Sequence, residues 1–104
     1  MKLLINDTIS IHPDHAKSWL NWIHLVVMPL VKKQSVIESF RLTKIRGNED
    51  ENGITYALQF ICPDEGSYAD FINNFDPKLQ REQQNRFRGN FGSFRSILEI
   101  IDEV

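Results

Sequence analysis

Few side chains in this sequence are of the kinds that do chemistry, and they lie far apart. Cys62 is the only thiol among the 104 residues. It precedes Pro63 at the end of an apolar run, with Asp64 and Glu65 just beyond. A thiol attacks only as thiolate, and neighbouring negative charge keeps its proton on. Cys62 therefore reads as a small, half-buried apolar residue. One cysteine forms no internal disulfide, which fits a reducing, cytoplasmic setting. The three histidines are His12, His15 and His24. His12 and His15 flank a helix start, His24 sits on a helix flank, and no further ligands stand nearby at zinc-ligand spacing. No metal and no cofactor are expected. No phosphate-binding glycine loop, HExxH, CxxC or GxSxG motif is present.

Asp7 is harder to place, because it occupies the apolar register of an otherwise alternating segment. A buried carboxylate costs several kcal/mol unless paired. An exposed strand end or a bulge is one account. The other is a general base whose pKa burial has raised. The stretch "RFRGNFGSFRS", residues 86 to 96, resembles RNA-binding segments in composition. Residues 78 to 95 hold five basic side chains against Glu82, a local charge of 5 − 1 = +4. The RNA-recognition signature nevertheless belongs on a third strand and carries aromatics around its glycines. Here Asn90 follows Arg88-Gly89, and "ITYALQFIC" has no such motif. With a net charge of −2 over the whole chain, no nucleic acid is expected as partner. The most apolar segment, "WLNWIHLVVMPLV", is too short to span a bilayer, and the N-terminus lacks a secretory pattern, so no membrane is expected either.

The elements that must hold these residues follow from periodicity. Residues 3 to 11 alternate as a strand. Pro13 and Asp14 open a helix, and Ala16, Trp19, Leu20, Ile23, Val27 and Leu30 form its apolar stripe. Pro29 is expected to kink or end it. Residues 36 to 46 form a second strand. The polar turn "GNEDENG" joins it to the third strand, "ITYALQFIC". A helix with Tyr68, Phe71, Ile72 and Phe75 follows. Asp76-Pro77 is expected to break and restart it, with Asp76 as N-cap. The restarted helix carries Leu79, Gln83, Arg86 and Phe87 and stops at Gly89. Gly92 reads as a tight entry to the fourth strand, and Phe87, Phe91 and Phe94 as core. The order βαββαβ over residues 1–104, without linkers or repeats, predicts one ferredoxin-like domain of α+β class. Its four-stranded antiparallel sheet carries both helices on one face.

Several short motifs carry a family resemblance: "WLNWI" (Trp19 to Ile23), "NGITYALQF" (Asn52 to Phe60), "DPKLQ" (Asp76 to Gln80), Arg86-Phe87, and "FRSILEIID" (Phe94 to Asp102). On these, the chain resembles a small bacterial domain-of-unknown-function family of about this length. The resemblance implies a ferredoxin-like fold of the dimeric α/β-barrel type and assigns no chemistry. The family often has histidines at the positions of Val27, Phe75 and Gln83, and this chain has none of them.

Period two also sorts the sheet faces. The helix-free face is expected to gather Asn6, Thr8, Thr55, Gln59, Arg95 and Glu99, with Arg41 or Lys44 from the second strand and Ile97, Ile101 and Ala57 among them. Such a face is open to water, packs on a second copy, or lines a cleft for a small polar ligand, with Arg95 meeting an anion. The last two are compatible, since two facing sheets enclose a space. A small self-associating module is therefore expected, a homodimer through this face with a ligand site in its cleft. The alternative is a cofactor-independent oxygenase- or isomerase-like enzyme, by analogy of fold. Its candidate catalytic groups would be Asp7, Tyr56, Arg95 and Glu99.

Overall fold

The computed structural model describes residues 1–47, 49–50 and 53–104. Asn48, Glu51 and Asn52, three of the seven residues of the expected turn, lie outside the described residues. Strand β1 (Leu3–Ile11) leads to helix α1 (Pro13–Trp22), a π turn (Ile23–Val27) and helix α2 (Met28–Lys32). Strands β2 (Ser39–Lys44) and β3 (Ile54–Cys62) follow. Helix α3 (Glu65–Asp70), a second π turn (Phe71–Phe75) and helix α4 (Asp76–Phe87) lead to strand β4 (Phe91–Glu99). The strands form one antiparallel sheet in the order β2-β3-β1-β4, the ferredoxin-like arrangement. Strand β1 is central. Asp7 faces Leu58 of β3 on one side and Arg95 of β4 on the other.

Alternation on β1 and β3 sends one set of side chains under the helices. Ile5, Ile9, Ile11, Phe60 and Cys62 are fully buried there, against Trp19, Ile23, Val27 and Phe71. Each large apolar side chain removed from water contributes roughly 1.5–3 kcal/mol. Rings add contacts: Trp19 stacks on Tyr56 at 5.0 Å, and Phe60 packs against Phe71 at 5.1 Å. At the N-terminus of α1, His12 Nδ1 accepts the Asp14 N–H. At α3, Asp64 accepts the Ser67 N–H at 2.7 Å, a side-chain N-cap. Gly89 ends α4 with φ +81, a conformation glycine adopts without a Cβ penalty.

The prolines neither stop nor break the helices. Pro29 and Pro77 each lie two residues past the end of a π turn, and the chain runs helically from 13 to 32 and from 65 to 87. The Met28 N–H reaches back five residues to the Ile23 carbonyl, and the Asp76 N–H reaches the Phe71 carbonyl. The wider turn makes room for a ring that would otherwise crowd the preceding turn. It also re-phases the buried stripe, since a π turn holds more residues than an α turn. In the first helix the buried positions are Ala16, Trp19, Trp22, Ile23, Val27 and Val31, four apart from Ile23 onward, and Leu30 is turned outward at 41% exposure. The stripe expected to end on Leu30 thus ends on Val31. In the second helix five residues at about 100° each would set Asp76 about 140° away from Phe71. The π turn brings both inside.

Candidate functional site

Asp76 is not an N-cap. Its carboxylate points at the sheet and, with Asp7, holds Arg95. Arg95 Nε donates to Asp7 Oδ1 at 2.6 Å and Nη2 to Asp7 Oδ2 at 2.9 Å. Nη1 donates to Asp76 Oδ2 at 2.9 Å, and Nη2 also to Asp76 Oδ1 at 2.8 Å. A guanidinium has five N–H donors; four are used here. Asp7 is 5% exposed and Asp76 8%. Burial alone would loosen the hold of Arg95 on its proton. Hydrogen bonds to both carboxylates outweigh it and push its pKa above the ordinary arginine value. The guanidinium also lies 5.9 Å from the centre of the Phe71 ring, within cation–π range.

Beside this ionic group lies a cavity of about 290 Å³, lined by Asp7, Ile9, Gln80, Gln83, Ser93, Phe94 and Arg95. Gln80 Nε2 donates to Asp76 Oδ1 at 3.1 Å. Gln83, 4% exposed, accepts the Trp19 indole N–H on Oε1 at 2.9 Å. Asp7, Asp76, Arg95 and Gln83 therefore join β1, β4, α4 and α1 through polar contacts under the helices.

On the other face of the sheet, Gln59 Nε2 donates to Asn6 Oδ1 at 3.1 Å, and Asn6 Nδ2 to Thr8 Oγ1 at 3.3 Å. Register places Arg41 opposite Gln59, and Thr55 opposite Ser10, on the same face. Asn6, Thr8, Arg41, Thr55 and Gln59 thus share the helix-free side as expected. Arg95 and Glu99 do not. Arg95 pairs with Asp7 and Glu99 with Leu3, both of which point under the helices. Ile97, opposite Ile5, goes with them. Phe94 and Leu98 take the places on the open face, opposite Thr8 and Leu4, and are 65% and 47% exposed. Phe94 is therefore not core, whereas Phe87 is buried and Phe91 packs against the core. The cause is a one-residue phase error on β4, which inverts every side chain of a strand.

Asp7 stands neither at a bulge nor at a strand end; it lies mid-strand, buried and paired. Its unpaired look was the signal for a buried cation opposite, and antiparallel register supplies Arg95. Asp76 gave no such signal, because an aspartate before a proline reads first as a cap. Cys62 is fully buried, and burial, with Asp64 adding to it, pushes its thiol pKa up to about 11. Tyr56 stacks on Trp19 inside the core. Among the described residues no group of three or more His, Cys, Asp or Glu could hold a metal ion. None of the described helices is long and apolar enough to cross a membrane.

The chain belongs to the family described as domain of unknown function DUF4286, which it matches over residues 2–101. No curated protein matches it. Solved structures share its fold at low identity. A dimeric ferredoxin-like protein from an uncultured marine organism is 10% identical with a TM-score of 0.80, over 99% of this chain and 98% of that one. HapK from Hahella chejuensis is 12% identical with a TM-score of 0.71, over 100% and 96%. SnoaB, a cofactor-independent oxygenase from Streptomyces nogalater, is 10% identical with a TM-score of 0.66, over 99% and 96%.

Proposed function

We propose that this member of the DUF4286 family is a self-associating, non-catalytic module that works in the cytoplasm as a homodimer. In this reading two copies pack their helix-free sheet faces together about a twofold axis. The space between them takes a small polar ligand, held by Asn6, Thr8, Arg41, Thr55 and Gln59. One observation carries the reading: Phe94 and Leu98 stand exposed on a sheet face that no helix covers. Apolar side chains ringed by polar ones suit an interface, and a twofold axis is the commonest way to bury such a patch. The dimeric ferredoxin-like structure of the same fold supports it. Light scattering at micromolar concentration tests it, with twice the chain mass expected. Leu98→Arg, which lies away from the cavity beside Arg95, should shift the mass toward one chain. A wild-type protein that scatters as a monomer defeats the proposal.

A second reading, a cofactor-independent oxygenase-like enzyme, has the fold it shares with SnoaB in its favour. The side chains work against it. Such a site needs an acid, base or electrophile free to meet substrate. Asp7 is paired with Arg95, four of the five Arg95 N–H groups go to Asp7 and Asp76, Tyr56 is packed under Trp19, and Cys62 holds its proton.

A further inference from the structure

We propose that the cavity between α4 and the edge formed by β1 and β4 binds a small neutral carbonyl compound, with the Gln83 side-chain amide as its principal donor. The donors of this site lie on the covered face of the sheet, opposite the dimer surface proposed above, and the two meet only at Phe94 on the edge strand β4.

The argument begins with the orientation of Gln83. An indole N–H only donates, so Trp19 Nε1 fixes the Gln83 oxygen toward itself. The amide nitrogen must then face away from Trp19. Gln83 is 4% exposed and lines this cavity, yet its Nε2 donates to no group among the described residues. Nor is it sealed in: among the described residues, the only inaccessible side-chain polar atom without a partner is Trp22 Nε1. Nε2 therefore meets open space, and the space it lines is the cavity. Two hydrogens on a nearly buried amide, left without acceptors, form half of a binding site.

The neighbouring groups say what completes it. Arg95, with one N–H not taken by Asp7 or Asp76, and Ser93 also line the cavity. Ile9 and Phe94 supply apolar surface. Donors facing apolar walls fit an acceptor oxygen on an apolar body. Charge decides between a carboxylate and a carbonyl. Asp7 and Asp76 carry two negative charges against one positive on Arg95, so the cluster is net −1 and disfavours a second anion nearby. A ketone or amide oxygen brings the acceptor without the charge. A volume of about 290 Å³ has room for one or two rings.

Proton–nitrogen correlation spectra of the full chain test this with three probes of one shape: 1-tetralone, the hydrocarbon tetralin and 1-naphthoate. Tetralone should move the Gln83 side-chain NH₂ resonances in a saturable way. Tetralin and naphthoate should each bind about tenfold more weakly, the ratio equivalent to one ordinary hydrogen bond. Gln83→Glu keeps an acceptor for Trp19 and removes the amide donor, so tetralone affinity should fall about tenfold while the Trp19 indole resonance keeps its place. Gln83→Met removes the donor without adding charge, and serves if Gln83→Glu does not fold. The proposal is overturned if tetralin binds as tightly as tetralone, if both variants bind like wild type, or if tetralone shifts no Gln83 resonance at its solubility limit.

Discussion

Asn6 and Asp7 are neighbours on β1, one atom group apart in chemistry, and they live on opposite faces of the same sheet. Asn6 looks out from the helix-free side and sits in a short chain of neutral hydrogen bonds from Gln59 to Thr8. Asp7 looks in, is 5% exposed, and is held by two bonds from Arg95. Water can replace the partners of Asn6 if they are lost. Those of Asp7 are harder to replace, because Asp7 lies nearly buried beneath the helices. The covered face therefore pairs its charged groups with one another, with Arg95 spanning two carboxylates. The open face can leave even large apolar side chains such as Phe94 unsatisfied until something packs on them. A buried ion pair is weak evidence for net stability but strong evidence that each partner is indispensable once the others are there.

The largest expected effect breaks the inner face. Arg95→Met should strand two carboxylates under the helices and cost about 3–5 kcal/mol in urea denaturation. The same experiment sharpens the point if all three charges go: Asp7→Leu, Asp76→Leu and Arg95→Met together should return close to wild-type stability. A triple variant as unstable as the single one would mean that the ionic group supplies more than mutual neutralisation. Next in size is Trp19→Phe. It keeps most of the apolar bulk but removes the only indole donor to Gln83, leaving a buried amide oxygen unpaired at about 1–3 kcal/mol. Stability unchanged by that substitution would show that the Gln83 oxygen is reached by water. The smallest effect lies on the open face. Asn6→Ala should change stability by no more than about 0.5 kcal/mol, the usual range for such surface sites. A loss comparable to that of Arg95→Met would erase the contrast between the two faces.

Much of the fold was legible because the strands signal it locally. The alternation of β1 and β3 places their boundaries where the structure has them, and the βαββαβ order leads to the observed sheet. The family resemblance, too, is borne out over residues 2–101. The site was harder, for two physical reasons. On β4 both alternating sets contain apolar residues, Phe94 and Leu98 on one, Ile97 on the other, so hydrophobicity alone does not fix the phase of an edge strand. Only pairing with β1 does. In the helices the 3.6-residue period fails at the π turns, so Val31 and Asp76 end up inside against expectation. Local pattern could locate Asp7 as an anomaly. It could not supply Asp76, whose inward direction depends on a widened turn five residues long.

Those widened turns bear on how the chain tolerates changes in length. A π turn behaves as an α-helix that has absorbed one extra residue while keeping the flanking turns in phase. Elsewhere in either helix, deleting one residue would rotate everything beyond it by about 100° and pull the buried stripe off the sheet. Within 23–27 or 71–75, a deletion would tighten the turn and leave both flanks where they are. What stands in the way is the ring of Pro29 or Pro77, which an α turn would crowd at about 3 kcal/mol. Each proline therefore guards an insertion already accepted, and the natural route to a shorter helix is to lose the proline first and the residue afterwards.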